Sequence, residues 1–174
     1  PRRQPEKAAS EPLGAPEVRG SWVVGNTLAD AAAVRKATDE ARALRLNTLM
    51  VQVRARGDAI YASAIEPPAH HLAGRREDLL AETLRAADGA LEVHAWVNAC
   101  LVANADDLPQ DPRHVTIAHP EWMAVPQDLA GELWDKAPRD PGYRESLARY
   151  ASERKSEVEG LFCDPAVPEY RAHL

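Results

Sequence analysis

Two short runs of this chain carry side chains able to hold a polar ligand. Gln52, Arg54 and Asp58 make one; His94, Trp96 and Asn98 make the other. An arginine presents a planar fork of donors that fits a carboxylate or a pair of vicinal hydroxyls. Histidine and asparagine hydrogen-bond hydroxyls directionally, and an indole offers an apolar face on which a flat ligand or a sugar ring stacks. Together the set suits a carbohydrate. For Arg54 and Asp58 a second role stays open, a salt bridge that braces the loop between them. His94 alone would fit a hydrogen-bonded core histidine, but its place in a polar row favours a site.

Other chemistry has less support. Six histidines are present, yet no pair has zinc spacing in a helical context, and no metal is expected. No Gly-x-Ser-x-Gly elbow occurs, which argues against a nucleophilic triad. Arg56-Gly57-Asp58 lacks the Gly-x-Gly-x-x-Gly spacing of a dinucleotide site, so no cofactor is expected. No pair of carboxylates stands out as a glycosidase acid and base. Glu92 lies deep in a strand, and Asp58, Asp106, Asp107 and Asp164 are on loops. Cys100 and Cys163 make no disulfide framework and fit no metal motif, so two free buried thiols are expected.

The positioning elements follow from periodicity. Leu91 to Asn98 alternates as a strand does, with Leu91, Val93, Ala95 and Val97 on one face and Glu92, His94, Trp96 and Asn98 on the other. The first face is expected under helices and the second at the mouth of a parallel barrel. Asn47 to Val53 alternates likewise, setting Leu49, Val51 and Val53 against Thr48, Met50, Gln52 and Arg54. A first strand is expected at Arg19 to Val24. A helix then runs to about Arg45, with Thr27 as N-cap and Asp30 in the capping-box position. Its inward face is Val34, Ala37, Ala41 and Leu44. A second helix, Glu77 to Asp88, sets Leu80, Leu84 and Ala87 inward and ends at Gly89. Strand, helix, strand, helix, strand implies parallel pairing with right-handed crossovers. The long connections all fall after strands, at the carboxyl ends where α/β folds put their ligands. Beyond Asn98, a turn at His119 to Met123, a helix from Asp140-Pro141 carrying Tyr143, Leu147 and Tyr150, and a last helix from Pro168 are expected.

The bulk numbers bound the function. A chain of 174 residues, 45% hydrophobic and 28% charged, supports one domain with a core. A net charge of −6 without a basic cluster argues against a nucleic-acid partner. No apolar run approaches the roughly 18 residues of a membrane span. Residues 1–18, rich in Pro, Glu, Arg and Ala, read as a disordered leader. The four tryptophans against one phenylalanine suit either sugar stacking or packing. The start on Pro1 and the lack of a signal-peptide core lead one to expect a processed or truncated product.

Five motifs stand in order: Arg19-Gly20-Ser21-Trp22-Val23; Asn47 to Arg54 with Gly57-Asp58 and Tyr61; Glu92 to Asn98; His119-Pro120-Glu121-Trp122; and Asp164-Pro165 with Pro168-Glu169-Tyr170-Arg171. Over about residues 19 to 174 they resemble the glycosyl hydrolase-like 10 family. That resemblance implies the amino-terminal part of a bacterial (β/α)8 TIM barrel, related to glycosidases, some of which act on cell-wall glycans. It implies Arg54, Asp58, Tyr61, His94, Trp96 and Asn98 as ligand-side residues at the barrel mouth, a carbohydrate substrate and export to the periplasm or cell envelope. Phe162 to Ala166 departs from the family's Leu-Asp-Pro-Gly pattern, which leaves Asp164 without a matching role. In such barrels the fourth strand follows the helix near Pro168 and brings the acidic residues. The chain is thus expected to stop short of that strand and to be inactive alone. The alternative is a non-catalytic glycan-binding barrel.

Overall fold

The computed structural model describes residues 17–174; the leader expected over residues 1–18 lies, but for its last two residues, outside them. Strands β1 (Gly20–Val23), β2 (Thr48–Arg54) and β3 (Glu92–Val97) form one parallel sheet in the order β1-β2-β3. The register sets Trp22 beside Met50 and Met50 beside His94, then Gln52 beside Trp96. The sheet is open, with three parallel strands in the arrangement of part of a TIM barrel.

Helices α1 (Ala31–Ala43) and α2 (Leu79–Ala87) return the chain from strand to strand. They cover the face of Leu49, Val51 and Val53, all buried in one core with Val34 and Leu79. Each such aliphatic side chain contributes about 1.5–3 kcal/mol by leaving water. The start of α1 differs from the sequence expectation. Residues Gly25–Thr27 form a 3-10 turn, and Asp30 is the N-cap, its Oδ1 accepting from the amides of Ala32 and Ala33, each at 2.8 Å. A capping box places its acid inside the helix; here that acid is the cap itself.

The faces of both helices also shift. In α1 the buried positions are Val34, Thr38 and Ala41, while Leu44, at the C-cap, is exposed. In α2 they are Leu79, Thr83 and Ala87, a strict i, i+4, i+8 row, and Leu84 is 53% exposed. Thr38 and Thr83 are buried without cost because each hydroxyl donates to a carbonyl one turn back, Val34 and Leu79 among them. Asp88 is the left-handed C-cap of α2, at φ 47°, with Gly89 following at φ 66°.

Strand β3 departs most. Leu91 is buried and Val93 half-buried, but Ala95 and Val97 on the supposed helix-facing side are exposed. The strand is at the sheet's edge, and the chain beyond it turns away to build a second layer. That layer holds β4 (Leu101–Ala103) antiparallel to β5 (Leu161–Phe162), and helices α3 (Val115–Ala118), α4 (Gln127–Leu133), α5 (Pro141–Glu153) and α6 (Pro168–His173). A separate core fills it, with Val102, Leu133, Tyr143, Leu147, Leu161 and Tyr170 among its members. As expected, Asp140 caps α5 with Pro141 at its first position, and Pro120–Trp122 makes a 3-10 turn. Among the described residues, no helix is long and apolar enough to cross a membrane.

Candidate functional site

The carboxyl ends of β2 and β3 meet at Arg54. Its side chain is 4% exposed. Nε donates to Glu66 Oε1 at 2.7 Å and Oε2 at 2.9 Å, and Nη1 donates to the carbonyls of Asn98 and Ala99, the latter at 3.1 Å. Nη2 lies 2.7 Å from Glu66 Oε1 as an ion contact, without the alignment of a hydrogen bond. Burial by itself would lower the pKa of this arginine, but hydrogen bonding and charge from Glu66 outweigh it and raise it above the ordinary value. The salt bridge weighed for Arg54 and Asp58 is therefore made with Glu66, twelve positions on. The reason is geometric: Asp58 turns back, its Oδ1 accepting from the Arg56 amide at 3.0 Å.

Asn98 joins the same junction, donating Nδ2 to the Ala55 carbonyl at 2.9 Å. Arg54 and Asn98 thus tie the ends of β2 and β3 together. Tyr61 is half-buried and packs against the first core. His94 and Trp96 sit elsewhere, on the sheet face opposite the helices. His94 Nε2 lies 3.1 Å from Glu92 Oε1, both exposed. Trp96 meets Trp22 edge-on, ring centroids 5.1 Å apart, and Trp22 is 64% exposed.

Above the strand ends a cleft of about 500 Å³ opens between the loops that follow β1, β2 and β4. Asn26, Arg56, Asp58, Asn104, Asp107 and Gln110 give it its polar lining. Of the six residues singled out from sequence, only Asp58 lines it. Gln52 links cleft and sheet face: its Oε1 accepts from the Gly25 amide at 3.2 Å, and its strand neighbour is Trp96. Glycine is required at residue 25, because a Cβ there would lie 2.6 Å from the Gln52 carbonyl oxygen.

His114 forms the cleft's inner wall. It is buried, with Nε2 2.7 Å from the Arg56 carbonyl and Nδ1 3.0 Å from Thr116 Oγ1. Desolvation lowers its pKa, so the neutral ring donates from Nε2 and accepts at Nδ1 from the Thr116 amide. It holds the Arg56 to Asp58 turn in place. That turn needs Gly57, at φ 70°, whose missing Cβ would otherwise stand 2.9 Å from His114 Nε2. Sequence reasoning leaves Asp107 as an unassigned loop carboxylate and does not single out His114, Asn104 or Gln110 for the site. They lie in a long connection without periodicity, and nothing local shows which strand end it covers. Asp164, left without a role by the family pattern, caps its own turn by accepting from the Ala166 amide at 2.7 Å.

Parallel strands, helices on one face and a polar cleft over the carboxyl ends define an α/β protein of the barrel-related kind. The comparison with protein families makes this particular. A family model described as glycosyl hydrolase-like 10 matches residues 17–169, and the chain belongs to that family. No curated protein matches it.

Proposed function

We propose that the chain is part of a glycoside hydrolase-like protein acting on a polysaccharide, with bacterial cell-wall glycan as the substrate class. The cleft over the strand ends carries this reading, since its amide and carboxylate lining can bond ring hydroxyls. Trp22 and Trp96 supply an indole surface on the adjoining sheet face, suited to the apolar face of a sugar. An exported protein of the periplasm or cell envelope would meet such a glycan.

The second reading, glycan binding without hydrolysis, is favoured by a specific observation. Asp58 and Asp111 of the cleft are held by their own turns, Asp58 through the Arg56 amide and Asp111 through the Arg113 amide at 2.9 Å. The Arg113 guanidinium, which donates to the same carboxylate, and then the amide keep the Asp111 carboxyl below the usual range, which suits a hydrogen-bond acceptor better than a general acid. Titration with glycan chains prepared from peptidoglycan, followed by tryptophan fluorescence, tests both. The expected result is a saturable change that is lost in Trp96→Ala. New reducing ends in the same mixture would select hydrolysis. An unchanged spectrum in the wild type would leave neither reading standing.

A further inference from the structure

The two cysteines lie opposite one another across the antiparallel pair of the second layer. Leu101 is the partner of Phe162, so the same register sets Cys100 opposite Cys163. The Cys163 amide indeed donates to the Cys100 carbonyl at 2.9 Å. That bond is one of the two that a hydrogen-bonded antiparallel pair exchanges, and at such a position Cα atoms lie about 5.5 Å apart with side chains on one face. Disulfides have Cα separations of about 5.5–6 Å. The two thiols also share their surroundings: both lie close enough to Tyr170, itself wholly buried, to influence its ionisation. Both are free thiols in this structure, Cys163 buried and Cys100 half-buried.

We propose that Cys100 and Cys163 are a disulfide site, closed by exchange with a small disulfide oxidant such as oxidised glutathione. The half-buried Cys100 is the entry point. Its thiolate attacks one sulfur of the oxidant, forming a mixed disulfide and releasing one glutathione thiolate, which takes up a proton. Cys163 then attacks the Cys100 sulfur, its proton passing to the second glutathione as that leaves. Two protein thiols are oxidised and one oxidant disulfide is reduced to two thiols, so the exchange balances. The order matters because burial pushes the Cys163 thiol up to about 12, and a thiol held that way is a poor first nucleophile. The bridge ties the segment that leaves β3 to the strand before α6 and closes the long loop between residues 100 and 163. The inference does not depend on the glycan reading.

The test incubates the full chain with oxidised glutathione and counts thiols with Ellman's reagent in denaturant. The count should fall from two to zero, the mass by two hydrogens, and a peptide map should join the Cys100 and Cys163 peptides. The Tm should rise by about 10 °C, from the entropy of the closed loop and the size of the domain, and return with dithiothreitol. In Cys163→Ser, or Cys163→Ala should serine fail to fold, a glutathione adduct should persist on Cys100. Two thiols remaining in the wild type, a stable adduct there, or a disulfide-linked dimer would overturn the proposal. So would an equal Tm rise in Cys100→Ser.

Discussion

The two layers solve the same packing problem differently. The β1-β2-β3 layer buries one sheet face under α1 and α2 and leaves Trp22, His94 and Glu92 of the other face exposed at its two edge strands. The β4-β5 layer has almost no sheet. It packs four helices and a 3-10 turn around a core that holds Tyr170, against which half-buried Trp122 and His173 lie, with His119 stacked on Trp122 at 3.7 Å. The seam between the layers is polar. Arg54 of the first reaches Glu66 and the carbonyls of Asn98 and Ala99; from the second, Tyr170 donates to Ala99 and His173 lies 3.4 Å from Glu66. A regular layer can be open because its strands fix one another. An irregular one needs an anchor, and Arg54 with Glu66 provides it.

The comparison breaks most sharply at that anchor. Arg54→Met strands Glu66 in the interior and should cost about 3–5 kcal/mol in urea unfolding. If the seam couples the layers, the transition should also broaden or split in two. Leu49→Ala and Leu147→Ala each empty one core and should cost about 2–5 kcal/mol. Because the cores are separate, the double variant should equal the sum within about 0.5 kcal/mol; strong coupling would merge the two layers into one. Gly57→Ala, forced into left-handed backbone against His114, should cost about 1–2 kcal/mol by thermal melting. The cleft should suffer more than the cores, so glycan binding should weaken beyond the stability loss.

The smallest effect is a pH dependence confined to the second layer. Glu132 accepts from Ser146 at 2.7 Å, Arg149 at 2.8 Å and Lys136 at 3.1 Å. These bonds lower its carboxyl from 4.5 to about 2. A group with a depressed folded pKa stabilises above its unfolded value and stops doing so as pH falls through the folded one. The Tm gap between wild type and Glu132→Gln should therefore be full at neutral pH and close as pH drops from about 4.5 to about 2. A gap that widens on acidification would contradict the carboxylate's role.

The layers also differ in how much of each is legible in the sequence. Thr48 to Arg54 alternates because one face meets two helices, and that regularity announces β2, α1, α2 and the parallel order. The inward faces of α1 and α2 hold Val34, Ala37, Ala41, Leu80 and Ala87 as the periodicity expects, but also Thr38 and Thr83, whose hydroxyls bond their own helix, a possibility a count of apolar residues overlooks. Leu101–Ala103 and Leu161–Phe162 are too short to alternate, and they pair across some sixty positions. The candidate site divides likewise. Asp58 reaches the cleft, while Arg54 and Asn98, chosen for their chemistry, spend it on joining strand ends. Its Glu66 partner lies beyond a loop that carries no signal of where it folds back.

Gly25 has a practical consequence. In a scan of every single substitution, residue 25 should tolerate almost nothing, since any side chain meets the Gln52 carbonyl 2.6 Å away. Being on the rim of the cleft, it would be scored as a specificity position on loss of binding alone. Abundance measured in parallel would show the loss to be of folded protein. Asn104 and Gln110 line the same cleft and bond only within their own loop, to the Asp106 amide and the Leu108 carbonyl, so substitutions there separate a change in binding from a loss of folded protein.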